Sequence, residues 1–243
     1  MPVLAAKADL RAVFLDVGGT LLAEARPRWR LYAAAARARG LEVDDEGMRE
    51  RMRRAHAELP RELRGAFRYS DPWFEAFIGK IFGEGLGLPA AELPGLAREL
   101  FALFERRSTF RVYPGAREFL GACRARGLVL GAISNWSARL ERVLAAVGLR
   151  GAFDLVLCSA VERLEKPDPA LFRAALARAG VPAAAALHAG DDPENDGRGA
   201  REAGLAAVLV DHLDRLAAAA AAGGFRRVRG LPELGELILS PRP

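Results

Sequence analysis

Between Tyr113 and Val210 the chain alternates short apolar runs with segments of helical period, and no other feature constrains its fold as tightly. The runs at 128–133, 153–158, 186–189 and 206–210 are short enough to be strands buried on both faces. Helical stretches lie between them. One spans 116–126 and closes at Gly127. Another aligns Leu140, Val143, Leu144 and Val147 and closes at Gly148. A third runs from Asp168-Pro169 to Gly180, and a short one ends at Gly204. Such alternation predicts parallel strands joined by crossover helices, a doubly wound, Rossmann-like α/β sheet. The alanines at 217–222 extend this pattern as a helix capped near Asp211 and stopped by Gly223-Gly224.

A further apolar run, Ala12–Leu15, stands far upstream and is followed by Asp16, Val17, Gly18, Gly19 and Thr20. It reads as a buried strand ending in a tight glycine turn. The 23–112 interval that separates it from the alternating region reads as wholly helical, with no strand. Trp29, Tyr32, Ala33 and Ala36 share a face; Asp44 caps a second helix carrying Met48 and Met52. Asp71-Pro72 starts a third, with Phe74, Phe77, Ile78 and Ile81 at helical spacing, and Leu96, Leu100, Leu103 and Phe104 mark a fourth. The expected organisation is an α/β core from 1–22 and 113–243 with a helical cap inserted at 23–112.

In an open parallel sheet, ligands bind outside the carboxyl ends of the strands. Chemistry-bearing residues sit at those ends here. Asp16 follows the first strand, Ser134-Asn135 the second, and Glu165-Lys166 precedes the helix at Asp168-Pro169. The run Gly190-Asp191-Asp192-Pro193-Glu194-Asn195-Asp196 follows the strand at 186–189. One of these acids can cap a helix, but three aspartates in six residues exceed that need. Crowded carboxylates call for a cation, and an all-oxygen set suits Mg²⁺. The lysine stands out by rarity: of 36 basic residues only Lys7, Lys80 and Lys166 are lysines.

Composition narrows the function classes. A net charge of +5 invites nucleic acid, yet the arginines are scattered through helices among Asp and Glu, without a basic block or stacking pattern. No apolar run approaches a membrane span. The layout before Asp16 is not that of a signal peptide, so a cytoplasmic location is expected. Cys123 and Cys158 read as buried thiols. No repeat or pattern specifies an oligomeric state.

In order and spacing, AVFLDVGGTLL, AISN, EKPDPALF and HAGDDPEND resemble the motifs of the haloacid dehalogenase-like hydrolase superfamily, mostly magnesium-dependent phosphatases. The helical insert is similar to that family's type-one cap. The resemblance implies Asp16 as the nucleophile that forms an aspartyl-phosphate. Ser134, with Gly19, Thr20, Asn135 and Lys166, would bind the phosphorylated small-molecule substrate. Ser134 and Lys166 would serve catalysis with Asp16. Mg²⁺ would be held by Asp16, the Gly18 carbonyl and Asp191, with Asp192 and Asp196 in support. The inserted segment is expected to open and close over the site on hinges near 22–26 and 111–115.

One position departs from the pattern. The family's phosphatases carry a second aspartate, the general acid and base, two residues after the nucleophile; here Gly18 stands there. General acid–base catalysis contributes about 10²–10⁴-fold, so the resemblance implies a phosphatase slow on poor leaving groups. The superfamily's dehalogenases also lack that aspartate, which gives a carbon–halogen hydrolase as the alternative. They need no metal, however, and usually carry an aromatic residue at the position of Gly18. A phosphonate-cleaving enzyme needs a Schiff-base lysine in its cap, where Lys80 is the sole lysine and reads as a surface residue. A weakly active binding or regulatory protein is a further alternative.

Overall fold

The computed structural model describes residues 10–240; the outermost residues of the expected 1–22 and 113–243 segments lie outside them. After β1 (Ala12–Leu15) come β2 (Leu22–Glu24), α1 (Arg28–Arg37), α2 (Asp45–Glu58), the hairpin β3 (Glu62–Leu63) and β4 (Ala66–Phe67), α3 (Asp71–Ile78), α4 (Leu93–Leu103) and β5 (Phe110–Val112). The alternating part follows: α5 (Ala116–Ala125), β6 (Val129–Ser134), α6 (Leu140–Ala146), β7 (Leu155–Cys158), α7 (Ser159–Glu162), α8 (Pro169–Ala179) and β8 (Ala186–Gly190). It closes with α9 (Gly199–Glu202), β9 (Ala206–Val210), α10 (Ala217–Gly223), β10 (Arg226–Val228) and α11 (Leu231–Leu239).

Six strands form one parallel sheet in the order β10-β9-β8-β1-β6-β7. The chain builds outward from β1 through β6 and β7 on one side and through β8, β9 and β10 on the other. That reversal opens a crevice at the carboxyl end of β1, between β6 and β8. Alternation along β1 feeds both faces: Val13 and Leu15 join a cluster with Phe119, Leu120, Val143 and Leu234. Ala12 and Phe14 pack with Leu171, Phe172 and Ala175 of α8 on the other face. The central strands are therefore mostly apolar, as a sheet covered on both sides requires, with His188 in β8 and Ser134 at the end of β6 as exceptions.

The segment between β1 and α5 has an apolar cluster of its own, built on Tyr32, Met48, Trp73, Phe77, Ile81 and Leu100. It is not wholly helical. β2 pairs antiparallel with β5 where the chain leaves and re-enters the sheet's end, and β3 pairs with β4 in a small hairpin. Strands of two or three residues are too short to show a period, which is why the helical expectation passed over them. Asp44 caps α2 by accepting from Gly47 N at 2.7 Å. Asp71 does not cap α3: the helix starts at Asp71 after Ser70, and the Asp71 carboxylate pairs with Arg139 at 2.6 Å. β10 and α11, unread in the sequence, complete the sheet edge and cover Phe119. No described helix is long and apolar enough to cross a membrane.

Candidate active site

Leaving β1, the chain makes one tight loop. Leu21 N and Leu22 N both donate to Val17 O, and Gly19 N returns to Leu22 O at 2.8 Å. Gly19 has φ +85°, and a Cβ there would lie 2.1 Å from Asp191 Oδ2, so both conformation and the neighbouring carboxylate demand glycine. Gly190 is held to glycine as tightly, because its Cβ would lie 2.1 Å from Asp196 Cγ. These bare backbones let Asp16, from the loop after β1, converge with Asp191 and Asp196, from the loop after β8.

Asp16 is buried at the floor of a cleft of about 650 Å³ that Ser134, Asn135, Trp136, Lys166, Asp191 and Asp192 also line. Its Oδ1 accepts from Ser134 Oγ at 2.9 Å and from Lys166 Nζ at 2.6 Å. Among the described residues no hydrogen bond is made to Asp16 Oδ2. Lys166 Nζ also donates to Asp196 Oδ1 at 2.5 Å, so one ammonium bridges two carboxylates. Asp196 is held on both oxygens: His188 Nε2 lies 2.9 Å from Oδ1, and Asp192 N donates to Oδ2 at 3.0 Å.

Burial and the Asp196 charge raise the pKa of Asp16 above the ordinary carboxylate range, against the pull of Lys166 and Ser134. Burial alone would also raise Asp196, but Lys166 and His188 hold it well below that range. Burial opposes the charge on Lys166; Asp16 and Asp196 overcome it and push the pKa up. Asp191 has no such cation: burial first, then the charges of Asp16 and Asp196, raise it to about 7. Its nearest polar partner is Thr20 Oγ1, at a long 3.4 Å. Oxygen atoms of Asp16, Asp191 and Asp196 lie within 4.8 Å of one another. Asp196 is already hydrogen-bonded on both oxygens, so Asp16 and Asp191 are the carboxylates with oxygen atoms best placed for a hard cation, which would offset their crowded charges.

Several expected site residues occupy other places in this geometry. Thr20 is fully buried, with its hydroxyl donating to Asp191 Oδ1. Asn135 lines the cleft but spends its amide on the Lys166 backbone, donating to Lys166 O at 2.9 Å and accepting from Lys166 N at 2.8 Å. Asp192 caps the following turn, accepting from Glu194 N at 2.8 Å and Asn195 N at 2.9 Å. Lys80 lies away from the cleft, paired with Glu58 and Glu84. Ser137 Oγ accepts from Arg139 N at 3.3 Å at the start of the turn before α6.

Other contributors were given no role by the sequence reading. His188 lies inside β8, where its apolar neighbours hide it, although its position eight residues before Asp196 in a parallel strand could have marked it. Trp136 lies over Gly18: a Cβ on Gly18 would stand 3.1 Å from its Cζ3. Arg28 reaches the cleft from α1, with its Nε donating to Glu24 at 2.7 Å. Glu165, beside Lys166, lies 3.4 Å from both Arg61 and Arg68 of the helical segment. Arg139 joins Asp71 and Glu105 while lying 3.8 Å above the Phe101 ring.

A parallel sheet whose switch point gathers a partly open aspartate, a bridging lysine and an unpaired second aspartate is the frame of a hydrolase family. A model of the haloacid dehalogenase-like hydrolases matches residues 10–204, and the chain belongs to that family. The haloacid dehalogenase-like hydrolase domain-containing protein 3 of Bos taurus is 36% identical over 211 residues, covering 85% of this chain and 84% of that protein. The phosphoserine phosphatase of Thermus thermophilus is 43% identical over 153 residues, covering 59% of this chain and 61% of that protein. Among solved structures, the 2-haloacid dehalogenase of Pseudomonas syringae shares the fold with a TM-score of 0.66 and 27% identity, over 94% of this chain and 98% of that one.

Proposed function

We propose that this hydrolase is a Mg²⁺-dependent phosphatase acting on a small phosphorylated metabolite through an aspartyl-phosphate on Asp16. The carrying observation is the pairing of Asp16 with Lys166 beside an Asp191 that has no cation of its own. Asp16 Oδ2, free of hydrogen bonds, attacks phosphorus, while Lys166 and Ser134 hold Oδ1 and fix the carboxylate's angle. Lys166 also meets charge on the transferring phosphoryl group. Asp16, Asp191 and the Gly18 carbonyl are the residues that would hold Mg²⁺, which when bound offsets the negative charge of nucleophile and phosphoryl oxygens together. Asp196 and Asn135 position Lys166, and Asp192 holds the turn that presents Asp196.

The 23–112 segment serves as a cap hinged at 22–26 and 111–115. The β2–β5 pair at its base and the ion pairs of Arg139 and Glu165 across its edge support that reading. Fold likeness to a dehalogenase and the lack of an acid at Gly18 are shared with the carbon–halogen alternative. Asp191 weighs against it, since that reaction has no use for a third carboxylate in the cluster.

The test is hydrolysis of p-nitrophenyl phosphate and acetyl phosphate, with and without Mg²⁺, by wild type and Asp16→Asn. Mg²⁺-dependent turnover that falls by at least about 10³-fold in the variant is expected. Turnover unaffected by Asp16→Asn, or none from wild type, overturns the proposal.

A further inference from the structure

Beside the acidic cleft lies a second cavity, of about 270 Å³, enclosed between the helical segment and the turn after β6. Tyr32, Trp73, Phe74, Phe77, Phe101 and Trp136 contribute rings to its wall. Arg28, Asn135 and Trp136 line both spaces, so the cavity opens beside the catalytic cleft. A cavity of about 150 Å³ lined by apolar side chains is enough to take up benzene, so this one has room for a fused bicyclic ring. Its rings are already mutually packed: Trp73 stacks on Phe77 at 5.6 Å and 14°, and meets Phe74 edge-on at 82°. Such a wall presents both faces and edges to an incoming ring, the arrangement that favours aromatic over merely apolar partners.

The chemistry of the floor points the same way. With glycine at 18 and the Trp136 ring standing over it, no carboxylate reaches the leaving group from that side. A leaving group that is stable as an anion needs no proton from that position. An alkoxide derives from an acid about as weak as water, with a pKa near 15.7, whereas a phenol has a pKa of about 10. The ring that closes the general-acid position is also the ring that begins the aromatic wall.

From these two observations we infer that the substrates are phosphate monoesters of aromatic hydroxyl compounds, with the aryl group seated in the Trp73–Trp136 cavity. The assignment rests on the phosphatase reading above. Asp16 Oδ2 forms a bond to phosphorus as the P–O(aryl) bond breaks, and the bonding pair leaves on the aryloxide. Water then attacks the same phosphorus and the Asp16–phosphorus bond breaks. The carboxylate is restored, and the water's protons end on the released phosphate and phenol. One water is consumed per ester, with no oxidant or reductant.

Binding separates the cavity from leaving-group reactivity. Inhibition of acetyl phosphate hydrolysis is compared for methylphosphonate, n-hexylphosphonate and 1-naphthylphosphonate. The naphthyl compound is expected to inhibit roughly 30-fold more tightly than the methyl one, from the apolar area it buries, and clearly more tightly than the hexyl one. Met52→Trp, which fills the cavity, and Phe74→Asp, which makes its wall polar, should each collapse the naphthyl-to-methyl ratio about tenfold. Equal inhibition by all three phosphonates, or by hexyl and naphthyl alone, overturns the aromatic assignment while leaving the phosphatase intact. Absence of Asp16-dependent acetyl phosphate hydrolysis overturns the phosphatase reading, and this assignment with it.

Discussion

The floor and the roof of this molecule are stabilised by opposite means. The floor gathers Asp16, Asp191, Asp196 and Lys166 at the ends of largely apolar strands, with His188 of β8 as the buried polar exception beneath Asp196. The roof gathers aromatic rings from α1, α3 and α4, with Arg28, Arg53 and Arg139 among them. A charged floor depends on each partner being present, because an uncompensated buried charge costs far more than the pair gains. A ring-lined roof depends on volume and tolerates exchange of one apolar group for another. The two should respond differently to substitution.

Lys166→Met should produce the largest effect. It leaves Asp16 and Asp196 facing each other without the ammonium that lies 2.6 and 2.5 Å from them. Removing one member of a buried ionic set costs about 3–5 kcal/mol, to be read by urea denaturation in the absence of divalent cations. In the roof, Phe74→Leu, a smaller apolar change at a half-buried position, should cost under about 1.5 kcal/mol. Equal losses for the two variants would erase the distinction between the regions.

Gly18→Asp tests whether the floor lacks only a proton donor. Full restoration of acid–base catalysis is worth about 10²-fold or more on alkyl phosphates. The Trp136 ring, 3.1 Å from the new Cβ, stands in the way, so the single variant should gain less than Gly18→Asp combined with Trp136→Ala. Steady-state rates on ethyl phosphate decide it. No gain from either variant would mean that proton transfer is not what the site lacks.

The contrast also governs what was legible in the sequence. The floor could be read because its residues fall at strand ends, where the alternation of apolar runs and helices announces a crevice, and because lysine is so rare that Lys166 stands out. His188 was missed because a histidine among strand residues looks like core. Thr20 and Asn135 were assigned to substrate because their motif position is visible in one dimension. That the hydroxyl faces Asp191 and the amide clamps the Lys166 backbone is a fact of three. The roof could not be assembled at all: Tyr32, Trp73 and Phe101 mark the inner faces of separate helices, and periodicity does not say which faces meet. Strands β2 to β5 and β10 were missed for a plainer reason, being only two or three residues long.

Metal removal and pH sharpen the electrostatic side. Asp191 titrates near 7 because burial and its acidic neighbours favour the protonated form. Folding therefore takes up a proton between the unfolded value of 3.8 and about 7. In cation-free protein this group makes stability fall as pH rises through that window. A bound cation must displace the proton below the window's upper edge, so Mg²⁺ affinity should weaken by about tenfold from pH 8 to pH 6. The rise in Tm on adding Mg²⁺ should shrink accordingly. A Tm shift independent of pH would show that Asp191 is not a ligand.

The smallest expected effect separates an aspartate that holds the floor's shape from those that carry its charge. Asp192 stands beside Asp191, yet its carboxylate faces the chain, accepting from Glu194 N, Asn195 N and Asn195 Nδ2. That is an N-cap, whose loss in Asp192→Ala costs about 1 kcal/mol, while Asp192→Asn keeps an acceptor oxygen and should cost less. Neither variant removes the Asp192 N–H that binds Asp196 Oδ2, so the lysine bridge keeps its anchor. Thermal denaturation should rank the three proteins in that order, and their dependence on Mg²⁺ concentration should coincide. A weakened Mg²⁺ response in Asp192→Asn, with stability intact, would move Asp192 from the scaffold of the floor into its charge.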